Sequence, residues 1–368
     1  HTDTICTDAS WQTAESAVRF SELYDGETYD AAFEPSVWTP AVICDGPPDT
    51  LIEQQGEPVR EQERIAPARI FKTPAGEIVV DFGQNLTGYV EIALDGVKGE
   101  AVELSHAEVL DKNGNFYTEN YRSAKAKYLY FCKDGAQRYK PKLTFYGFRY
   151  IRVDRFPCGA EHAAQENFTA IAVHSDMKRT GYLSCSDPLL NKLFENVIWG
   201  QKSNFLDVPT DCPQRDERLG WSGDAQIFCK TASYLFDYAP FAEKYVRDMC
   251  DEQLKNGNFR QISPRGGVDF YMTFMDGSAG WSDAGVFIPY RLYKQYGDRK
   301  ILECFYPNMR AFAEYKIKTL GKWYPTALPT GVGLKNFRNI SNYRQSYGEW
   351  AEPADVKTLE FKDFVNPN

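Results

Sequence analysis

Between about residue 63 and residue 172 the apolar positions fall in short runs that alternate with polar ones: "EIVVDFG", "YVEIALDG", "AVELSHAEVL", "KYLYFC" and "FRYIRVDRF". Gly, Asn and Asp separate the runs. Alternation at period two with turns at this spacing predicts an antiparallel β-sandwich. Within it, "DKNGN" at 111–115 predicts a hairpin, because Asn-Gly supplies the positive φ values of a tight turn. After about residue 180 the period lengthens to that of helices. "DPLLNKLFENVIWGQKSNFL" sets Leu189, Leu190, Leu193, Phe194, Val197 and Ile198 at i, i+3, i+4 spacing, with Asp187 as the cap and Pro188 at the first helical position. Further helices are expected around 224–237, 239–255, 283–296 and 299–318, the last carrying Ile301, Leu302, Phe305, Met309 and Phe312. A run of amphipathic helices with short and long connections is consistent with a helical toroid whose end loops line a cleft. Helix count alone carries that expectation, since no repeat of fixed period is present.

Ahead of these regions, residues 1–62 close on "DGPPDTLIEQQGEPVREQERIAP", rich in Pro, Gly and charge, which reads as a linker. The predicted organisation is therefore multidomain: 1–62 as part of an N-terminal β-sandwich domain plus linker, 63–175 as a second β-sandwich, and 176–368 as the helical domain.

Composition narrows the function. The formal charge of −9 and a pI near 5.2 argue against nucleic acid as a partner, because phosphate binding draws on Lys/Arg clusters that this chain lacks. Aromatic residues make up 15%, a surplus that suits binding clefts as well as cores, with carbohydrate as one natural ligand. No run approaches the roughly 18 apolar residues of a membrane span, so no membrane partner is expected. The nine cysteines are spread singly without a Cys-x-x-Cys pair, which predicts mostly free, buried thiols and favours a reducing, cytoplasmic compartment, with a periplasmic or secreted location as the alternative. "HTDTICTDASW" at the start has neither the basic nor the apolar region of a signal peptide. The four histidines (1, 106, 162, 174) are scattered, which disfavours a metal centre or a Ser-His-Asp triad in the helical region. No cofactor is expected. A structural calcium at "DKNGN" is not indicated either, because the bidentate Glu of a calcium loop is missing and the stretch reads as a turn.

One stretch stands apart. "DVPTDCPQRDERLGWSGDAQ", Asp207 to Gln226, packs acids, arginines and a tryptophan onto a segment that Pro209 and Pro213 keep from being helical. Glycoside hydrolysis calls for these residue types: one carboxylic acid protonates the leaving oxygen, a second carboxylate acts on water or carbon, and other acids, arginines and rings hold the sugar. Crowded acids raise the pKa of at least one member, which keeps a carboxyl group protonated near neutral pH. Glu217, flanked by charged neighbours and with the longest reach, is the candidate acid. Taken singly, each residue also has a plain structural reading: Asp224 as a first-turn acid on a helix dipole, Arg215 and Arg218 as salt-bridge partners of Asp211 or Asp216, Trp221 as core. It is the density of the cluster that favours a functional site.

The same stretch resembles the signature of bacterial α-L-rhamnosidases, glycoside hydrolase family 78. "VVDFGQNLTGYVEI", "LSHAEVLDKNGNFYTENYRSA" and "YKPKLTFYGFRYIRV" are similar to that family's concanavalin-like β-domain, "LYDGETYDAAFE" to its N-terminal β-domain, and "GWSDAGVFIPYRLYKQYGD" to part of its (α/α)6 catalytic domain. The resemblance implies an inverting hydrolase that removes terminal α-L-rhamnose without a cofactor, with Glu217 as general acid. It carries rhamnose contacts onto Asp211, Arg215 and Asp224 and part of the sugar-binding wall onto Trp221. Trp281, in "GWSDA", matches an aromatic region beside the subsite and has packing between helices as its plain alternative. "YGEWAEP" at 347–353 is similar to a Gly-Asp-Trp segment in which Glu349 replaces the usual Asp, so Trp350 is a weaker candidate. No residue matches the family's general base, a glutamate far downstream, and the (α/α)6 domain is expected to be incomplete at its C-terminus. The alternatives are a carbohydrate-binding protein on the same scaffold, or another α/α-toroid glycosidase or polysaccharide lyase. A homo-oligomer is compatible with all of these.

Overall fold

The computed structural model describes residues 8–44, 53–267 and 276–322. Trp350 and Glu349 lie outside the described residues. The chain divides into two compact units, His1–Gln55 with Arg60–His174 and Pro213–Asp216, and Gly56–Val59 with Ser175–Cys212 and Glu217–Asn368. Among the described residues, no helix is long and apolar enough to cross a membrane.

The first unit is built on a ten-stranded sheet: β1 Val18–Glu22, β2 Gly26–Asp30, β3 Val59–Ile65, β4 Arg69–Lys72, β5 Ile78–Gly96, β6 Ala101–Ala107, β7 Lys127–Phe131, β8 Gly135–Tyr139, β9 Tyr146–Arg155 and β10 Phe168–Ser175. They run in the order β1-β2-β7-β6-β9-β5-β10-β3, with β4 and β8 also paired to β5. Pairing is antiparallel at β7–β6, β6–β9, β9–β5 and β5–β10, as the close spacing of turns predicts, but β2 joins β7 in parallel. Thus a strand from the first sixty residues lies in the same sheet as those of the second predicted domain.

Alternation is clearest on β7 and β8, where Tyr128, Tyr130, Gln137 and Tyr139 are buried between more exposed neighbours. It fades on β9, mid-sheet, where Tyr146, Phe148, Tyr150, Ile151 and Val153 are all buried, as expected of a strand covered on both faces. The predicted hairpin is present: Val109–Leu110 pairs with Phe116–Tyr117. Its turn relies on more than Asn-Gly, because the Asp111 carboxylate accepts the backbone N–H groups of Asn113 and Asn115 at 2.8 Å each, while Gly114 takes the positive φ.

Five helices are described in the second unit: α1 Pro188–Asn204, α2 Ser222–Leu235, α3 Ala239–Asp251, α4 Ala284–Tyr296 and α5 Arg299–Thr319. Asp187 caps α1 by accepting the Leu189 N–H at 2.8 Å, ahead of Pro188. α4 packs against α2, α3 and α5, and the core between them holds Phe205, Tyr238, Phe241, Phe259, Ile288, Phe305 and Phe312. Each such buried side chain contributes roughly 1.5–3 kcal/mol. Phe205 and Phe241 stack with ring centroids 4.8 Å apart.

Two expectations need correction. On α1 only the C-terminal part of the apolar stripe is covered: Ile198 is buried and Phe194 and Val197 partly so, whereas Leu189, Leu190 and Leu193 are exposed. The described cysteines are all free, but only Cys132, Cys212 and Cys229 are buried. Cys44, Cys158 and Cys185 sit in turns or loops and Cys304 on the exposed side of α5, so they stay accessible.

The sheet-built unit carries an internal charge that it neutralises with care. Asp81 on β5 is 3% exposed. Burial alone would push its carboxyl up. Hydrogen bonds from Arg149 Nε at 2.8 Å and Nη2 at 3.0 Å and from the Gly83 N–H at 2.8 Å, with the charges of Arg149 and Arg69, outweigh this and hold it below the ordinary value. A folded-state value below the unfolded one gives stability that is fully present above the usual carboxylate range and is lost as pH falls through the folded value. The melting temperature of the sheet, followed by circular dichroism, is therefore expected to fall between about pH 5 and pH 3, with Asp81→Asn flattening that dependence. Arg149→Ala is expected to cost about 2 kcal/mol. A fully buried pair would cost more, but this guanidinium is 38% exposed and partly screened.

Candidate active site

The acidic stretch leaves α1 through a tight ribbon in which Phe205–Leu206 pairs with Val208–Pro209. Asp207 at its tip has φ 65°, and its carboxylate is held by Lys244 Nζ of α3 at 2.8 Å. From there the chain makes a loop that closes on itself. The Asp211 N–H donates to the Leu219 carbonyl at 3.1 Å, and the Leu219 N–H donates back to Asp211 Oδ1 at 2.9 Å. Inside this closure the Arg218 N–H points at Cys212 Sγ, 3.5 Å away.

The consequence is proximity. Asp211, Cys212 and Glu217 each bring a polar atom within 4.8 Å of the others. Two carboxylates and a thiol at this spacing can hold a metal ion, and the donors they meet include two backbone N–H groups and an indole N–H. Trp221, 8% exposed, donates its indole N–H to Glu217 Oε1 at 3.0 Å. It is thus both core and a direct partner of the candidate acid.

Behind the loop, the segment Phe259–Ser263 supplies a rigid back. Gly220 O accepts from the Ser263 N–H at 3.0 Å and the Tyr245 hydroxyl at 2.9 Å, and Gln261 O accepts from the Ser222 N–H at 2.8 Å. α2 then starts at Ser222. Asp224 lies exposed in its first turn, favourable to the helix dipole. Burial pushes the Tyr245 hydroxyl well above its usual value, and the Asp224 charge adds to that rise.

Trp281 is brought to the same place. A β-carbon on Gly223 would lie 2.7–2.8 Å from its indole ring, so that ring rests on the backbone of the first turn of α2. Gln226 Nε2 donates to Gly280 O at 3.0 Å and ties the helix to the turn that carries Trp281. Asp211, Glu217, Trp221, Asp224 and Trp281 therefore share the α2 end of the helical unit.

Arg215 and Asp216 belong to the stretch that packs with the sheet-built unit. There, burial pushes the Glu108 carboxyl up, and the Arg215 charge together with a bond from Asn85 partly offsets this. Asp216 is taken by Arg122, whose Nε is 2.5 Å from Oδ1, and by the hydroxyl and N–H of Ser123. Burial tends to raise this carboxyl, but these three bonds bring it below its ordinary value. A partner 94 residues away leaves no trace in local spacing, which is why Arg122 and Ser123 escape a reading of the stretch alone. The Gly223 contact with Trp281 is equally silent in the sequence.

A sheet-built unit is thus followed by packed helices, with carboxylates and indoles gathered at the start of one of them, the arrangement of a multidomain chain with a helical domain. The family model described as the bacterial alpha-L-rhamnosidase 6 hairpin glycosidase domain matches residues 178–364, that for the concanavalin-like domain 71–174, and that for the N-terminal domain 1–63. The chain belongs to the bacterial α-L-rhamnosidase family. It is 37% identical over 350 residues to an α-L-rhamnosidase of Streptomyces avermitilis, a match that takes in 92% of this chain and 33% of that protein. Another from Alteromonas sp. (strain LOR) is also 37% identical, with 92% of this chain and 39% of the relative covered. The crystal structure of the Streptomyces avermitilis α-L-rhamnosidase complexed with L-rhamnose aligns with a TM-score of 0.81 at 35% identity, over 94% of this chain and 32% of the other. The chain thus spans 33–39% of the length of these curated relatives.

Gly223→Ala tests the indole contact. Gly to Ala in a helix ordinarily stabilises by up to about 1 kcal/mol. Here the new methyl group displaces the Trp281 ring, so indole fluorescence is expected to shift and ligand affinity to fall even where the melting temperature is unchanged or higher.

Proposed function

We propose that the protein is an α-L-rhamnosidase that hydrolyses terminal α-L-rhamnosides with inversion, and that Glu217 is its general acid. The observation that carries this is the Trp221 indole N–H on Glu217 Oε1 at 3.0 Å, with Asp211 within 4.8 Å. Support comes from the rhamnosidase relatives and from the solved structure of one of them with L-rhamnose. In this reading Glu217 gives its proton to the glycosidic oxygen as the bond to carbon breaks, and the indole fixes which way the carboxyl group faces. Asp211, Arg215 and Asp224 accept or donate hydrogen bonds to rhamnose hydroxyls, while Trp221 and Trp281 wall the apolar face of the sugar. The helices form part of an (α/α)6 toroid. No cofactor is needed, since proton transfer and water activation are carboxylate chemistry.

Distance bears on stereochemistry. Inversion needs a second carboxylate about 6.5–9.5 Å from the acid with water between, whereas retention needs about 5–5.5 Å. Asp211 is too close to Glu217 to be the inverting base. The same closeness favours a second reading, a retaining enzyme with Asp211 as nucleophile. Against it stands the Leu219 N–H on Asp211 Oδ1, which uses that carboxylate to close the loop.

Hydrolysis of aryl α-L-rhamnosides by the full-length polypeptide tests both. Inversion predicts that proton NMR sees β-L-rhamnose first, and the α anomer first would favour the retaining pair. Glu217→Gln is expected to lower kcat by roughly 100-fold or more with poor leaving groups. An undiminished rate would remove Glu217 from the role. Rhamnose binding by calorimetry without any turnover would point to a carbohydrate-binding protein instead.

A further inference from the structure

We propose that Arg122 and Ser123, on a turn of the sheet-built unit, are positioning residues for the acid: they hold Asp216, and through the peptide bond they hold Glu217. This rests on the reading of Glu217 as proton donor. Arg122 Nε lies 2.5 Å from Asp216 Oδ1, and the Ser123 hydroxyl and N–H both bond Oδ2. Consecutive Cα atoms are about 3.8 Å apart, so fixing one carboxylate-bearing residue from three donors leaves its neighbour little freedom.

A second contact holds the same four residues. Pro213 lies against Gly147 of β9 so closely that a β-carbon there would be 2.7–2.9 Å from its atoms. The Tyr121 hydroxyl, one residue before Arg122, donates to the Gly147 carbonyl at 2.5 Å. Turn 121–123 and strand β9 thus form one cradle for Pro213–Asp216.

Backbone strain is a third, independent mark. Arg122 has φ 56° and ψ −113°, a conformation that glycine adopts at little cost and a side chain with a β-carbon does not. An arginine persists there, and its guanidinium is the group that grips Asp216. General stability does not explain the arrangement, because the Arg122 side chain is 51% exposed and an ion pair that open adds little to a fold. Positioning does explain it: proton transfer depends on sub-ångström placement, and a misplacement near 1 Å can cost about 100-fold in rate.

The test compares two probes in the full-length polypeptide: methyl α-L-rhamnoside, whose leaving group needs a proton, and dinitrophenyl α-L-rhamnoside, whose leaving group does not. Arg122→Ala and Asp216→Asn are each expected to lower kcat on the methyl glycoside by roughly 10- to 100-fold and on the dinitrophenyl glycoside by less than about threefold. KM is expected to hold, and the melting temperature to move by no more than about 2 °C. Arg122→Lys should restore part of the rate, and the double variant should be no slower than the slower single one. Equal losses on both probes, no loss on either, or losses that multiply in the double variant would overturn the proposal. Should Arg122→Ala not fold, Arg122→Lys and Ser123→Ala decide on the same ratio of probes. Glu217→Gln measured alongside separates the two ideas. If its loss is confined to the methyl glycoside while the Arg122 and Ser123 variants show none, only the positioning role falls; if it shows no such selectivity, the role of Glu217 falls and this one with it.

Discussion

The pair of hydrogen bonds between Asp211 and Leu219 is the constraint on which the site depends. A loop of this length with two carboxylates near its ends would open under their repulsion, and ordering it costs about 1–2 kcal/mol per residue in backbone entropy alone. The backbone N–H of Leu219 offsets both problems at once: it closes the loop and places a donor on one of the two acids. Glu217 is then met from the other side by an indole N–H. Each of the two carboxylates thus accepts a hydrogen bond from a donor that carries no full charge.

What supports that closure is the helical unit. Gly220 O is bonded both by Ser263 and by the buried Tyr245 of α3, and the Trp281 turn leans on the first turn of α2. These contacts rest on a core of stacked and tilted rings around Phe205, Phe241 and Phe259. A site on a loop is only as precise as its backing. Here the backing is a short segment, Phe259–Ser263, whose Gln261 carbonyl and Ser263 N–H bond the loop while its Phe259 carbonyl and Gln261 N–H are taken by Ser282 and Asp276.

Much of this was legible in the sequence, for identifiable reasons. Helix positions follow from the period of apolar residues, and Asp187–Pro188 marks the start of α1 because a cap and a fixed φ act locally. The acidic stretch announces itself because its residue types are costly to gather without a use. Other features were hidden. The parallel pairing of β2 with β7 depends on residues some hundred positions apart, and period-two alternation looks the same in parallel and antiparallel strands. The exposed half of the α1 stripe carries the same i, i+3, i+4 pattern as the buried half, so spacing cannot tell which part is covered. Asp216 sits beside Arg215 in sequence, yet its guanidinium partner is Arg122, because side-chain reach favours a donor across space over one that shares a short backbone turn.

Strain shows where the chain has been forced. Among the described residues, five without glycine's freedom have positive φ, and three of them, Arg122, Asp207 and Arg218, belong to the acidic stretch or to its cradle. Each such conformation costs on the order of 1–3 kcal/mol and persists only where surrounding contacts overdetermine it. Asp207 is held by Lys244, Arg122 by Asp216, and Arg218 is 5% exposed, within a loop that backbone bonds close. A relaxed loop would let the carboxylates separate. The same contacts that keep these backbones out of their comfortable wells therefore keep Asp211 and Glu217 together, so the strain and the closeness of the acids have one cause.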